Sequence, residues 1–203
     1  MATSRTPAVD RRRQILDAAV RAFARRGYEA TRVGDVAAEA GVAYGLVYHY
    51  FRSKEELLET IFRDTWTQML ATIHEIEEDA EGEPVREQLR KIVALVLRSW
   101  NRDPDVVRVL VREVTRTPHL QREVAEIQHA FDVLERIIAR GQEAGEFRRE
   151  IDPRVAGWSL YGALEEILTG WVMGQLPGDE ADVARAEQTV VDVFCGGLEP
   201  RLS

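Results

Sequence analysis

Two pairs of side chains in the sequence have the types and the spacing of metal ligands on one face of a helix. They are His74 with Glu78, four residues apart, and His129 with Asp132, three residues apart. The four histidines are otherwise scattered, and Cys195 lies in an apolar run with no histidine close to it in sequence. The sequence contains neither a Gly-rich phosphate loop nor a nucleophile elbow. We therefore expect no enzyme, no metal site and no cofactor.

The charged side chains are unevenly distributed along the chain. Its 203 residues include 35 acidic and 27 basic groups, which gives a net charge of −8. Residues 1–54 nevertheless hold ten basic and five acidic groups, a net +5, which leaves −13 for the other 149 residues. Affinity for a nucleic-acid backbone comes from clustered Lys and Arg. The distribution therefore predicts that the two parts face different partners, with nucleic acid a candidate for the first.

Length and composition indicate a globular protein of one large or two small domains. The single cysteine excludes an internal disulfide and fits a reducing compartment. No segment approaches the roughly 18 apolar residues of a membrane span, and residues 1–13 lack the apolar stretch of a signal peptide. We expect a cytoplasmic protein with no membrane partner.

Apolar residues recur at helical spacing, and no segment shows the sustained alternation of a strand. The predicted fold class is all-α, with about nine helices after a disordered tail at residues 1–9. Capping and stop signals set the expected limits. The helices are expected from Asp10 to Gly27, Val33 to Ala40, Tyr44 to Tyr50, Ser53 to about Asp79, Pro84 to near Asn101, Pro104 to about Thr117, Pro118 to Gly141, Pro153 to Gly174 and Asp179 to about Gly196.

The second and third helices have the pattern of a helix-turn-helix. Ala37 supplies a small residue where two helices cross, and Gly41 tolerates the positive φ of a tight turn. The apolar residues that face inward from both helices are Val33, Val36, Ala40, Val42 and Val47. The outer face of the second helix carries polar and aromatic side chains. Because the second helix of this motif enters the major groove of DNA, the segment predicts a DNA-binding domain.

The same region carries a family resemblance over about residues 10–62 without a gap. The matching positions are Arg13–Ala19, Phe23, Gly27, Tyr28, Thr31–Val33, Val36, Ala37, Ala40–Val42, Val47–Phe51 and Ser53–Leu58. This segment closely resembles the DNA-binding domain of the tetracycline-repressor (TetR) family. The resemblance implies a three-helix DNA-binding domain at residues 10–54 and a larger helical ligand-binding and dimerisation domain at residues 55–203. It also implies a homodimer that binds a palindromic operator in double-stranded DNA and dissociates from it when a small-molecule effector binds.

The resemblance also assigns contacts with DNA residue by residue. Thr31 and Arg32, at the start of the second helix, are expected to contact a phosphate through the hydroxyl and the amides there. Tyr48 resembles a phosphate-binding phenol, and Tyr44 is the candidate for reading a base edge. Lys54 resembles the phosphate-binding lysine of the family.

Four further residues belong to the same predicted surface. Gly45 lets the backbone approach the groove, and His49 occupies a position that touches DNA in the family. Ala43 stands where a Ser or Thr cap is usual, and Leu46 stands where a small or hydroxylic residue is common. Leu46 is therefore expected to contact a thymine methyl group. Which bases are read stays open.

The middle helices of the second domain carry more large apolar residues than single helical stripes require. Such a bundle can be a solid core or can enclose a cavity, and the family resemblance implies a cavity. Its predicted lining comprises Trp66, Leu70, Ile73, Leu97, Trp100, Leu110, Val114, His129, Phe131 and Tyr161. Polar groups buried among these residues would orient a ligand, and the candidates are His74, Gln128, His129, Tyr161 and Glu165. A fatty acyl thioester and a flat aromatic compound are the two candidate effectors.

The last two long helices are predicted to form the dimer surface. An intramolecular core accounts for only half of each apolar stripe, and a large exposed apolar patch usually marks an interface. In the family, these two helices and their mates form a four-helix interface. The predicted interface residues are Gly162, Ala163, Ile167, Gly170, Val190 and Phe194.

Together these observations predict a ligand-responsive transcriptional repressor. Its fourth helix joins both domains and is expected to move when the ligand binds. An activator, or a DNA binder that responds to no ligand, is the alternative. A helical enzyme or a scavenger of a lipophilic molecule is a further one, but it has no catalytic constellation to support it.

Overall fold

All regular structure in the described part of the chain is helical. The computed structural model describes residues 7–79, 82–114 and 125–199, and these ranges contain no strand. The helices in them are α1 Pro7–Arg26, α2 Val33–Ala40, α3 Tyr44–Tyr50, α4 Lys54–Glu78, α5 Val85–Leu97, α6 Ser99–Arg102, α7 Pro104–Val114, α8 Ala125–Glu143, α9 Pro153–Val172 and α10 Glu180–Leu198. The predicted all-α fold is confirmed, and all of these helices except α6 are longer than one turn.

Helix α1 begins earlier than the sequence predicts. Its first residue is Pro7, so Asp10 lies in the first turn and does not precede the helix. Proline suits this position because its fixed φ is helical and the N–H that it lacks would have no partner there. The prediction of a disordered tail at residues 1–9 is therefore wrong for residues 7–9. Residues 1–6 lie outside the described part.

The helix predicted from Pro84 to Asn101 is two helices, because α5 ends at Leu97 and α6 begins at Ser99. The Ser99 hydroxyl donates to the Val96 carbonyl at 2.6 Å. A local side-chain bond of this kind competes with the backbone ladder of the helix. The prediction of one continuous helix is therefore wrong at this point.

Helix α8 extends past its predicted end at Gly141. A Cβ at this position would lie 2.6 Å from the Phe147 ring, so the glycine serves close packing inside the helix. The left-handed residue that follows the helix is Gly145, with φ 77°. The predicted end of one helix near Thr117 and the predicted start of the next at Pro118 lie outside the described residues. The remaining helix limits agree with the predictions to within two residues.

The helix-turn-helix is built from α2 and α3. Gly41 follows α2 in the left-handed region, with φ 66° and ψ 34°, which reverses the chain at little steric cost. Helix α4 begins soon after α3, because the Ser53 hydroxyl accepts a hydrogen bond from the Glu56 N–H at 3.2 Å. The Glu56 carboxylate in turn accepts from the Arg52 N–H at 2.6 Å. These caps fix the angle at which the chain enters α4.

Two hydrophobic cores share helix α4. The N-terminal core contains α1, α2 and α3 together with Val109 of α7 and four residues from the first turns of α4, which are Leu57, Leu58, Ile61 and Phe62. The C-terminal core contains Leu70 and Ile73 of α4 and buried residues of α5, α8, α9 and α10. Trp66 packs against both cores. The predicted domain boundary after residue 54 therefore falls within a continuous core.

Helix α7 provides a second link between the two parts. Besides Val109, it places Val106 and Leu110 against the N-terminal core. The Arg112 guanidinium donates to the Ala24 carbonyl in the last turns of α1 at 3.2 Å. The bundle of α1, α2 and α3 is thus held by α7 as well as by its continuity with α4. Among the helices of the described ranges, none combines the length and the apolar content that crossing a membrane requires.

Candidate DNA interface and effector site

Helix α3 presents one face to solvent because its other face is fixed in the N-terminal core. Val47 is fully buried and Phe51, just after the helix, is 2% exposed. Val47 and Phe51 are one helical turn apart and mark the buried face, so side chains on the opposite face of α3 point into solvent. The predicted contacts Ala43, Tyr44, Gly45, Tyr48 and His49 are all exposed, and Leu46 is half-buried at the edge of the same face.

The two tyrosines of this face form a pair. The Tyr44 and Tyr48 hydroxyl oxygens are 3.2 Å apart, and the rings meet edge to face with centroids 5.1 Å apart. The hydrogen bond with Tyr44 raises the pKa of Tyr48 above its usual value. The sequence assigned a phosphate to Tyr48 and a base edge to Tyr44. The geometry joins them into one hydrogen-bonding unit on the surface.

The start of α3 has no side-chain cap. Ala43 precedes the helix with φ −65° and ψ 141°, and its carbonyl accepts from the Leu46 N–H at 2.9 Å. The hydroxyl of a Ser or Thr at this position would accept a hydrogen bond from a backbone N–H of the first turn. The absence of that hydroxyl leaves the first turn of α3 held by backbone bonds and by the buried residues beneath it.

The structure contradicts a phosphate contact by the Thr31 hydroxyl. Thr31 is 1% exposed, and its hydroxyl donates to the Gly27 carbonyl at 2.7 Å and lies 3.3 Å from the Ala22 carbonyl. The Ala22 carbonyl lies in the last turns of α1, and the Gly27 carbonyl belongs to the residue that directly follows the helix. Thr31 thus closes the end of α1, and Arg32 is left as the exposed residue before α2.

Lys54 joins the start of α4 to the turn after α1. Its ammonium donates to the Tyr28 carbonyl at 2.9 Å and to the Glu29 carbonyl at 3.4 Å. It also lies 4.1 Å from the centre of the Tyr28 ring, in the geometry of a cation–π contact. The Tyr28 hydroxyl donates to the Glu55 carboxylate at 3.2 Å. Lys54 therefore sits half-buried at the edge of the predicted DNA surface with a structural role of its own.

Three basic residues of α1 form ion pairs with two acids of α2. Glu39 pairs with Arg21 at 2.8 Å and also with Arg25, and Asp35 pairs with Arg26 at 2.6 Å. The bonds from Arg21 and Arg25 hold the pKa of Glu39 below its usual range. These five side chains together contribute only +1, so most of the net +5 of residues 1–54 is carried by other side chains.

Three of the ten predicted effector residues meet through their aromatic rings. Tyr161 of α9 lies between the other two, with its ring centre 6.5 Å from that of Trp66 and 5.0 Å from that of Phe131. Phe131 stacks on Trp158 at 4.1 Å with an angle of 8° between the rings. We call Trp66, Phe131, Trp158 and Tyr161 the aromatic cluster. Trp158 is not among the residues that the sequence predicts for the effector site.

The other predicted lining residues are divided between the two cores, and Trp66 packs against both of these cores. Leu70, Ile73 and Leu97 are buried in the C-terminal core, whereas Leu110 packs on the N-terminal core. Trp100 stacks against Trp171, and its indole N–H donates to the Gly178 carbonyl at 3.0 Å. His129 is exposed. The prediction of an enclosed lining is wrong for the exposed His129, it stays a prediction for Leu110 and Trp100, and the Val114 side chain lies outside the described part.

One polar pair borders the aromatic cluster. Tyr161 and Glu165 are one helical turn apart on α9, and burial together with the Glu165 carboxylate raises the pKa of the Tyr161 phenol. Burial is also the main reason that the pKa of Glu165 lies above its usual value. In the described ranges, no group of three or more His, Cys, Asp or Glu side chains could hold a metal ion. Tyr161 and Glu165 are thus half-buried polar groups beside these rings, and their role in orienting a ligand stays a prediction.

An open apolar groove of about 510 Å³ runs between α9 and α10. Among the predicted dimer residues, Ala163, Val190 and Phe194 line it, and Gly162 is exposed on α9 nearby. Other residues of the lining are Val155 and Val193, which are 61% and 72% exposed. Such exposure is unusual for aliphatic side chains that no partner covers.

Two predicted dimer residues belong to the interior instead. Gly170 is buried, and a Cβ there would lie 2.8 Å from the Leu176 side chain. Ile167 is half-buried and packs on the C-terminal core. The small residue at 170 therefore admits the loop after α9 and does not serve an external helix. The prediction of an interface contact is therefore wrong for Gly170, and for the half-buried Ile167 it stays a prediction.

Comparisons with known proteins cover both parts of the chain. The family described as "Bacterial regulatory proteins, tetR family" matches residues 15–61. A second family, described as "YsiA-like protein, C-terminal region", matches residues 62–194. The two matches meet inside α4, between Ile61 and Phe62. Both residues belong to the N-terminal core, and Trp66, which contacts both cores, follows one turn later.

Relatives of similar length match most of this chain. The "Fatty acid metabolism regulator protein" of Bacillus subtilis is 29% identical over 91% of this chain and 94% of its own length. The "HTH-type transcriptional repressor KstR2" of Rhodococcus jostii is 30% identical over 93% and 91%. The solved structure of the fatty acid degradation regulator FadR from Bacillus halodurans superposes with a TM-score of 0.81, at 28% identity over 98% of this chain and all of the other. FadR from Bacillus subtilis, solved in complex with stearoyl-CoA, gives 0.78 at 28% identity over 92% and 99%.

We expect Thr31→Val and Lys54→Ala to have different effects. Thr31→Val should lower the free energy of unfolding by about 1 kcal/mol, since it removes a buried hydrogen bond. It should leave the dependence of DNA affinity on salt unchanged. Lys54→Ala should weaken binding to every duplex and flatten the slope of log K against log salt by about one. Urea unfolding and fluorescence anisotropy on a labelled duplex measure both. A loss of DNA affinity in Thr31→Val at unchanged stability would return Thr31 to the phosphate contacts.

Glu165→Gln should raise Tm near neutral pH and have little effect at pH 4. A raised pKa means that the folded state favours the neutral acid, so this acid's contribution to stability is present below about pH 4.3 and is lost as the pH rises through its folded pKa. Gln stays neutral throughout, so we expect a gain of about 1–2 °C at pH 7. The control is Glu143→Gln, at an exposed acid. Equal Tm changes at both pH values would contradict the assignment.

Proposed function

Starting from the fact that the chain belongs to the TetR family, we propose that it is a homodimeric repressor that binds a palindromic operator and is released by a fatty acyl thioester. Family membership makes it a transcriptional regulator and not an enzyme. We further propose that the protein acts in the cytoplasm. The observation that carries it is the outer face of α3, where Tyr44, Gly45, Tyr48 and His49 are exposed above a buried Val47.

The exposed face of α3 has the size and chemistry for one major-groove half-site. A helix in the major groove reads base edges with side chains on one face, while neighbouring groups bind phosphates. The Tyr44–Tyr48 pair offers hydroxyl donors and acceptors, and Leu46 offers an apolar contact at the edge. We assign the phosphate contacts to Arg32, Lys54 and the tyrosine pair. Thr31 is not among them, because its hydroxyl is buried against the end of α1.

The groove between α9 and α10 supports the dimer. Two copies that meet through the same groove would cover Val155, Val193 and Phe194, as expected for a two-fold interface in which one patch meets itself. Such a dimer presents two α3 helices, and a palindrome whose half-sites are about 34–36 Å apart, or somewhat more, would accept both on one side of the duplex. The dimer would therefore explain why the apolar groove is exposed in the single chain, and it would also set the spacing of the two operator half-sites.

The aromatic cluster is our candidate for the effector site. It lies where Trp66 of α4 passes between the two cores, so a ligand that separates these rings would displace α4. An acyl chain fits apolar rings, and Tyr161 can donate to a thioester carbonyl. The FadR structure solved with stearoyl-CoA, at 28% identity to this chain, favours an acyl thioester over a flat aromatic compound. We place the DNA-binding part at residues 10–54 together with the first turns of α4.

Selection from a pool of random duplexes tests the proposal directly. We expect the recovered sequences to contain an inverted repeat. Stearoyl-CoA should then weaken binding to that repeat at least about tenfold. A ligand that binds one conformation of the protein more tightly shifts the conformational equilibrium by the difference between its two affinities. Free coenzyme A is the control and should have no effect. Recovery of no inverted repeat would overturn the repressor proposal, and a repeat that is insensitive to acyl thioesters would overturn the effector alone.

Val193→Glu should separate the dimer, because it places a charge in the middle of the apolar groove. We expect a monomer in light scattering at micromolar concentration and at least about a tenfold loss of affinity for the inverted repeat. Met173→Glu is the matched control. Met173 is 61% exposed and does not line the groove, so its variant should remain dimeric and bind as the wild type does. A Val193→Glu protein that stays dimeric would rule out this groove as the interface.

A further inference from the structure

Helix α4 has 25 residues and is about 37 Å long. Its first turns belong to the N-terminal core, and its later turns belong to the C-terminal core. Any change in its direction therefore moves α3 relative to the rest of the chain. How much α3 moves depends on where along α4 the helix is held in place.

The C-terminal end of α4 is held by a group of ionic contacts from α8. The Arg136 guanidinium donates twice to the Glu77 carboxylate, at 3.1 and 2.9 Å, and Arg140 donates to the same carboxylate at 3.0 Å. Arg140 also donates to Gln88 of α5 at 3.0 Å, and Gln88 is 3% exposed. We call Glu77, Arg136, Arg140 and Gln88 the Glu77 clamp.

The chemistry of the clamp restricts its geometry. The Glu77 side chain is only 14% exposed, and two guanidinium groups share its two oxygens. The bonds from Arg136 and Arg140 hold the pKa of Glu77 below its usual range, so it is ionised at neutral pH. A two-bond contact between a guanidinium and a carboxylate fixes direction as well as distance. The clamp thus fixes both the position and the orientation of the last turns of α4.

We propose that Glu77 is a positioning residue for operator binding, because the Glu77 clamp is the pivot of α4 and sets the separation of the two α3 helices in a dimer. The inference rests on the proposed function. Trp66 lies 11 residues before Glu77, or about 16 Å along the helix, and Lys54 lies 23 residues before it, or about 34 Å. A shift at the aromatic cluster is therefore about doubled where α4 meets the DNA-binding part.

A loosened pivot should change which operators are accepted. With Glu77 clamped, the protein holds one separation of its α3 helices and favours one half-site spacing. With the clamp broken, α4 takes a range of directions, and operators with one base pair added or removed at the centre become acceptable. A contact that only stabilises the fold would lower Tm and leave this preference for spacing unchanged.

The test compares Glu77→Gln with a matched variant, Glu187→Gln. Glu187 of α10 accepts two bonds from Arg98 at 2.8 Å each, and its side chain is 11% exposed, so the pair resembles the clamp but does not involve α4. We would measure Tm, and the affinity of full-length protein for the selected operator and for versions one base pair longer and shorter. We expect the wild type and Glu187→Gln to favour the selected spacing at least about tenfold, and Glu77→Gln to favour it at most about threefold.

The outcomes separate the two proposals. A wild-type protein that selects no inverted repeat, or that accepts all spacings equally, overturns the dimeric repressor. A wild type that prefers one spacing, with Glu77→Gln showing the same preference as Glu187→Gln, overturns the pivot and leaves the repressor standing. If Glu77→Gln does not fold, Arg136→Gln provides the same readout, because Arg140 still holds Glu77 in that variant. We then expect an intermediate spacing preference, and an unchanged preference would contradict the proposal.

Discussion

The burial of one helix in two hydrophobic cores is the constraint on which the rest of this structure depends. Leu57 and Phe62 fix the beginning of α4 among α1, α2 and α3, whereas Leu70 and Ile73 fix its later turns among α5, α8 and α9. A helix is stiff over this length, since each residue is bonded to the turns before and after it. The two cores therefore cannot change their relative orientation without repacking one end of α4, and Trp66 is the residue at which the two packings meet.

Much of the fold could be predicted because its signals act within a few residues. The left-handed Gly41, the cap at Ser53 and the alternation of buried and exposed residues around Val47 each determine structure in their own turn of the chain. The exposed face of α3 follows from them directly. The early start of α1 at Pro7 was missed because Asp10 is also an acceptable cap, and the sequence does not rank two such signals.

The parts that could not be predicted depend on which helices become neighbours. An amphipathic stripe says that Leu110 is turned inward, but not that α7 packs on α1 and so places this residue against the N-terminal core. Thr31 has a hydroxyl suited to a phosphate, and only the folded end of α1 shows that carbonyls bind it first. The contacts of Glu77 with Arg136 and Arg140 join residues about sixty positions apart, for which no local pattern exists.

The recognition surface has an unusual dependence on its support. Helix α3 has seven residues and no side-chain cap, and helices this short are marginal by themselves in water. Its order is therefore derived from Val47 and Phe51 and from the core beneath them. Substitutions that abolish DNA binding should therefore occur at many more positions than those that contact DNA. Substitutions at buried positions of α1 and α4 should arise among defective alleles as readily as changes to the tyrosines themselves.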